Sequence, residues 1–161
     1  MCTIPHTGAQ TFTVAEGGSP YPGLGAMIQT EKQRFETRVG AQPANVGPLR
    51  AAVVEFAQKL GFADTGQIAL AVSEALTNVV VHAYREGDPG DVRVVACDEP
   101  DRLVVVVRDY GAGMLPRTDS PGLGLGLPLI SSMTDALQIE AADDTGTLLR
   151  MHFAKPVAAA A

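Results

Sequence analysis

The amino-acid sequence predicts an α/β fold: a two-layer sandwich with a mixed β-sheet covered on one face by helices. Two adjacent stretches carry apolar residues at helical spacing between residues 49 and 84. Two β-branched runs follow them, and a shorter helical stretch then leads into two more strand-like runs. The chain has 161 residues, 46% of them apolar and 19% charged, which suits one domain with a single sizeable core.

Residues 1–31 contain Gly8, Gly17, Gly18, Pro20, Pro22, Gly23 and Gly25 with little periodicity, and read as a flexible N-terminal arm. The domain itself is expected over 32–155, with 156–161 as a disordered tail. Arg34 to Val39 alternates weakly and reads as a first strand; Ala41-Gln-Pro-Ala-Asn-Val-Gly-Pro48 is a turn-rich lead-in to a helix. Leu49, Val53, Phe56, Ala57 and Leu60 form that helix's apolar stripe, and Gly61 is placed to end it. Asp64 or Thr65 can cap a second helix running to about Tyr84, with Ile68, Val72, Ala75, Leu76, Val79 and Val80 as its stripe. The turn Glu86-Gly-Asp-Pro-Gly90 stops it.

Val92 to Cys97 and Leu103 to Asp109 are β-branched runs around the polar hinge Asp98-Glu-Pro-Asp-Arg102, and read as a hairpin. Residues 111–121 have no periodicity and read as a loop able to close over a ligand. Leu127 to Met133 continues as a helix. Ala136 to Ala142 and Thr147 to Phe153 read as two last strands around an Asp143-Asp-Thr-Gly146 turn.

Composition excludes several functions. A net charge of −6 and a pI near 4.9 argue against a broad phosphate-backbone footprint, which needs clustered Lys and Arg, so a protein or small-molecule partner is expected rather than nucleic acid. Cys2 and Cys97 supply neither a disulfide framework nor a metal-ligand spacing, which fits a reducing cytoplasm. No export signal is legible, and no stretch approaches the roughly 20 apolar residues needed to span a bilayer.

Three blocks in order carry the chemistry. Glu74-Ala-Leu-Thr-Asn78 places a carboxylate and a carboxamide four residues apart on one helix face, where they could serve as a base and a metal ligand or could simply be solvated. Asn is disfavoured in a helix interior, and here it stands before Val79, Val80 and Val81, where a buried amide needs a partner. His82 lies on the same projected face, as a phosphate contact, a third polar lining residue or merely the helix end. Asp109 closes a strand of consecutive valines, where a charge must be hydrogen-bonded. It could initiate the turn before Tyr110-Gly111, or accept from an exocyclic amine while Gly111 and Gly113 allow close approach. Gly122-Leu-Gly-Leu-Gly-Leu127 is neither good strand nor good helix, yet it precedes a helical pattern, an arrangement that offers amide N–H groups to an anion. It is no Walker loop, lacking the Lys with Ser or Thr, and no Rossmann fingerprint, since no strand ends just before it.

Together, Glu74-x-x-x-Asn78, Asp109-x-Gly111-x-Gly113 and Gly122-x-Gly124-x-Gly126 resemble the N, G1 and G2 boxes of the GHKL ATPase/kinase superfamily, whose fold is the Bergerat fold. Ser73-Glu-Ala-Leu-Thr-Asn-Val-Val-Val-His-Ala-Tyr84 and Gly122-Leu-Gly-Leu-Gly-Leu-Pro-Leu-Ile130 are similar to the wording of its anti-sigma-factor serine kinases of the RsbW type. The resemblance covers about residues 34 to 153. It implies ATP and Mg²⁺ as cofactors, Glu74 as the base that deprotonates the acceptor serine, and Asn78 as the Mg²⁺ ligand. It also implies that Asp109 reads the adenine amino group, that Gly111 and Gly113 shape the base pocket, and that Gly122, Gly124, Gly126 and Leu127 hold the phosphates beneath a 114–121 lid. Thr147 would lie near the adenine, and Arg50 would face protein partners.

The function so implied is that of a bacterial cytoplasmic anti-sigma factor. It would phosphorylate a STAS-type anti-anti-sigma partner on serine, sequester a sigma factor, and act as a homodimer. The alternative is an ATP- or ADP-binding regulator that sequesters its partner without phosphotransfer. Absence of a dimerisation helix with a phosphoacceptor His disfavours a two-component sensor kinase, and the chain is short for a gyrase-type ATPase.

Overall fold

A computed structural model describes residues 33–85, 90–112, 126–142 and 145–156. In chain order the elements are β1 (Arg34–Gly40), α1 (Pro43–Lys59), α2 (Gly66–Asn78) continuing into a π-turn (Val79–Ala83), β2 (Asp91–Asp98), β3 (Arg102–Asp109), α3 (Gly126–Met133), β4 (Ala136–Ala141) and β5 (Thr147–Ala154). The anticipated arm lies outside the described residues, as does the tail apart from Pro156.

The strands form one sheet in the order β1-β2-β3-β5-β4, and every neighbouring pair is antiparallel. This corrects the mixed sheet expected from sequence. Two helices separate β1 from β2, so the chain returns in the opposite direction. The single helix α3 sets β4 parallel to β3, but β5 turns back by a hairpin and inserts between them, so the parallel pair never touches.

The helix-facing side of the sheet is built from alternate residues: Val92, Val94 and Ala96 on β2, Leu103, Val105 and Val107 on β3, Leu149, Met151 and Phe153 on β5. They bury Leu49, Val53 and Ala57 of α1, Ile68, Val72, Ala75 and Leu76 of α2, and Ile130 of α3. Asp109 shares the parity of Leu103, Val105 and Val107 and so faces the helices at the end of β3. Val95, Cys97, Val104, Val106 and Leu148 form a second buried cluster on the opposite face, which explains why β3 reads as a continuous rather than an alternating apolar run. The sequence offers no disulfide framework, yet Cys97 is disulfide-bonded. Leu76 is among the largest fully buried side chains, at 1% exposure. Leu76→Ala is therefore expected to cost about 2–5 kcal/mol, read as a lower urea midpoint.

Three local features differ from the sequence reading. Helix α1 starts at Pro43 and runs through Pro48, absorbing most of the expected lead-in. Proline is tolerated at the first helical position, and the Asn45 amide donates to the Gly40 carbonyl (2.8 Å), tying the helix start to the end of β1. Gly61, at φ 92°, follows the helix end as expected. Thr65 is the N-cap of α2 but makes no side-chain cap bond; the Asp64 carboxylate instead accepts from the Gly66 N–H at 2.8 Å. Beyond Asn78 the helix widens into the π-turn, burying Val79 and Ala83 and leaving Val81 53% exposed.

Candidate functional site

The site forms where the end of β3 meets the end of α2 and its π-turn. The Asp109 carboxylate is 1% exposed, and local backbone groups hold it there. Its Oδ1 accepts from the Gly111 N–H at 2.9 Å and its Oδ2 from the Thr147 N–H at 3.0 Å. Of the two readings of Asp109 left open by the sequence, the structure shows the first, the organised turn after it, and adds a contact to β5. A carboxylate has about four acceptor positions, and these two bonds leave capacity for a further donor such as an exocyclic amine.

Glycines let the surrounding chain close in. A Cβ at Gly111 would stand 1.8 Å from the Ala83 carbonyl oxygen, and the adjacent Ala112 N–H donates to that oxygen at 3.1 Å. The close approach that Gly111 permits is therefore to the π-turn backbone. Gly146, at φ 91°, presses on Asp109 in the same way, with a Cβ placed 2.2 Å from its carbonyl oxygen and 2.7 Å from Oδ1. Sequence reasoning treated Gly146 only as a turn residue; its position just before Thr147 was the available signal.

Asn78, half-buried, packs against the first residue of α3, where a Cβ on Gly126 would lie 3.2 Å from both amide heteroatoms. The structure thus joins the first and third blocks directly. Glu74 is half-buried one turn earlier, on the same face as Asn78. The wider π-turn takes His82 off the line projected from a straight helix. Leu127 is half-buried against the core, and Thr147 is buried at 5%. Arg50 is exposed on α1. Gly113, Gly122, Gly124 and the expected 114–121 lid lie outside the described residues. The chain leaves the described residues after Ala112, bonded to Ala83, and re-enters them at Gly126, against Asn78. Both points are on one continuous helical segment.

Beside this junction opens a cavity of about 460 Å³ lined by Arg38, Gly40, Ala41, Gln42, Tyr84, Gly90, Asp91 and Tyr110. It shares Tyr84 and Tyr110 with the surroundings of Asp109 but does not include Asp109, Asn78 or Glu74. The Tyr110 ring is flanked by two guanidinium groups, Arg38 at 4.2 Å and Arg108 at 4.6 Å from its centroid. Among the described residues no helix is long and apolar enough to cross a membrane.

Comparison with known proteins agrees with this geometry. The family described as the histidine kinase-like ATPase domain matches residues 39–153, from the end of β1 to β5. Proteins named serine-protein kinase RsbW from Bacillus mycoides (strain KBAB4), Bacillus cereus (strain Q1) and Bacillus thuringiensis subsp. konkukian (strain 97-27) are each 32% identical to this chain. Each match runs over 124 residues, covering 66% of this chain and 77% of the relative. The five-stranded sheet with its helix layer is consistent with the Bergerat architecture, and a domain of this kind implies ATP binding. The chain belongs to the histidine kinase-like ATPase (GHKL) family and is a distant relative of the RsbW serine-protein kinases.

Proposed function

We propose that this protein is a serine/threonine-protein kinase of the cytoplasm that phosphorylates a small STAS-type anti-anti-sigma protein from ATP and sequesters a sigma factor, acting as a homodimer. The observation that carries the reading is the Asp109 carboxylate: 1% exposed, oriented by two backbone N–H groups, and set beside the helix that bears Glu74 and Asn78. A buried acid with spare acceptor capacity suits the 6-amino group of adenine, which a guanine would not offer.

In this arrangement Asp109 and the neighbouring Thr147 position the base, and Gly111 and Gly113 shape its pocket. Gly122, Gly124, Gly126 and Leu127 hold the phosphates. The residues present also fit Mg²⁺. The Asn78 carboxamide oxygen is a hard donor held against the start of α3, suited to an ion that takes one or two protein oxygens and otherwise phosphate and water. When bound, Mg²⁺ would neutralise charge on the phosphates. Glu74 then takes the proton from the acceptor serine hydroxyl as its oxygen forms a bond to the γ-phosphorus. The bond to the bridging oxygen breaks, and ADP leaves with that electron pair. Most of the rate gain comes from alignment and charge neutralisation, since the protein forms no covalent intermediate. Arg50, exposed on α1, would meet the protein partners.

Phosphotransfer from γ-labelled Mg-ATP in a lysate of the source organism tests this reading. Glu74→Ala is expected to reduce labelling of a small acceptor protein by about 100-fold or more. Its ADP affinity should stay within about twofold of the unmodified protein, because Glu74 does not contact the base. Equal labelling patterns with ATP binding intact would replace the kinase with a nucleotide-binding regulator that acts by sequestration alone.

A further inference from the structure

Tyr84 caps the π-turn at the end of the first motif and has no role in the nucleotide reading above. Its backbone turns extended there, at φ −122° and ψ 154°, and its half-buried ring points back across the strand ends. The hydroxyl uses both of its capacities on main chain: it donates to the Asp91 carbonyl at the start of β2 and accepts from the Tyr110 N–H at 2.8 Å. One oxygen thus joins three segments, namely the end of the helix that carries Glu74 and Asn78, the first residue of β2, and the residue directly after Asp109.

The surroundings are shaped for that ring. A Cβ at Gly90 would lie 2.3 Å from two of its carbons, so only glycine leaves room there, and a Cβ at Gly111 would come within 3.3 Å of another. Tyr110 is in turn restrained on its other sides, by Arg38 and Arg108 against its ring and by the Thr145 hydroxyl, which donates to its carbonyl at 3.2 Å. Burial pushes the Tyr84 phenol above its ordinary range, so it remains protonated and able to donate to Asp91.

We propose that Tyr84 is a positioning residue for adenine recognition: its hydroxyl fixes the backbone on which Asp109 is carried and so sets where that carboxylate meets the base. The proposal rests on the ATP-site reading above. The Gly111 N–H that orients Asp109 Oδ1 lies one residue beyond the N–H that Tyr84 holds, so the hydroxyl and the carboxylate constrain successive peptide units of one turn. If the hydroxyl is removed, the Tyr110 N–H and the Asp91 carbonyl both lose their partner. The turn then gains freedom at the point where an exocyclic amine must be met within hydrogen-bond distance.

Calorimetric titration with Mg-ADP and Mg-IDP tests this, because hypoxanthine carries an oxo group where adenine carries the amine, and an N1–H where adenine has an acceptor, while the ribose and phosphates are unchanged. The unmodified protein should prefer ADP. Tyr84→Phe, which keeps the ring and removes only the hydroxyl, is expected to lose about tenfold or more in ADP affinity while IDP affinity stays within about twofold. Equal losses for both nucleotides would mean a general structural role and overturn the proposal, as would an unchanged ADP affinity. Equal affinity of the unmodified protein for ADP and IDP would instead overturn the adenine assignment of Asp109 on which the proposal stands. Amide exchange gives a second reading without any variant. The Tyr110 N–H should exchange slowly in the full chain, and exchange at the rate of an exposed amide would refute the latch.

Discussion

Asp109→Ala is expected to lower ADP affinity by about 100-fold or more and to destabilise the fold as well. The two effects have separable causes. The carboxylate is 1% exposed and accepts from the backbone N–H groups of Gly111 and Thr147, so its removal leaves two donors without an acceptor at the junction of β3 and β5. Each orphaned donor costs about 1–3 kcal/mol, partly offset because a charge is no longer buried. In the proposed site, the loss of affinity comes from the acceptor that Asp109 would present to the base. A site built to hydrogen-bond a ligand group discriminates strongly because its own polar atoms are otherwise left unpaired. Asp109→Asn separates the contributions: it retains one acceptor for the local backbone but offers a donor amide where the adenine amine also donates. Its urea midpoint should therefore stay nearer the unmodified protein while its ADP affinity falls almost as far. Titration calorimetry that found undiminished ADP affinity in both variants would remove Asp109 from the base pocket.

Gly111→Ala is the smallest substitution expected to have a large structural effect. The added methyl would stand 1.8 Å from the Ala83 carbonyl oxygen and 2.6 Å from its carbon. Both are main-chain atoms, so no rotamer change relieves the contact; either the π-turn or the segment after Asp109 must move. Movement stretches the Ala112 N–H to Ala83 carbonyl bond, and the Gly111 N–H that orients Asp109 moves with it. A destabilisation of about 2–4 kcal/mol is expected, together with weakened ADP binding. Urea denaturation with calorimetry on the same samples measures both. A midpoint equal to that of the unmodified protein would show that the chain does not pack here as described.

Much of this was legible beforehand, for physical reasons visible in single segments. The Val-rich runs of β2 and β3 and the final strand were placed to within about one residue at each end, because continuous β-branched sequence bounded by Pro, Asp and Gly has few other stable conformations. The stripe of Ile68, Val72, Ala75 and Leu76 marked the buried side of α2, and its polar flank pointed to Glu74 and Asn78. The lead-in to α1 was misread because Pro43 and Pro48 suggest a turn, whereas burial of Leu49, Val53 and Ala57 outweighs one lost helical bond. The π-turn was not foreseen, since nothing in Val-Val-Val-His-Ala distinguishes it from a straight helix.

Local pattern therefore established the element types and the two-layer class and singled out the candidate site residues, because each depends on apolar periodicity and side-chain type within a few residues. It left open which strands would be neighbours, and so mistook an all-antiparallel sheet for a mixed one. It also could not show that Gly146 and Thr147 of the last hairpin close over Asp109, that Gly126 meets Asn78, or that Tyr84 bridges to Tyr110. Those contacts join residues as many as 48 positions apart, from Asn78 to Gly126, and no local propensity encodes them. They exist because burying both the helix stripes and the sheet's inner face against one another leaves the chain a single compact arrangement of its loop ends.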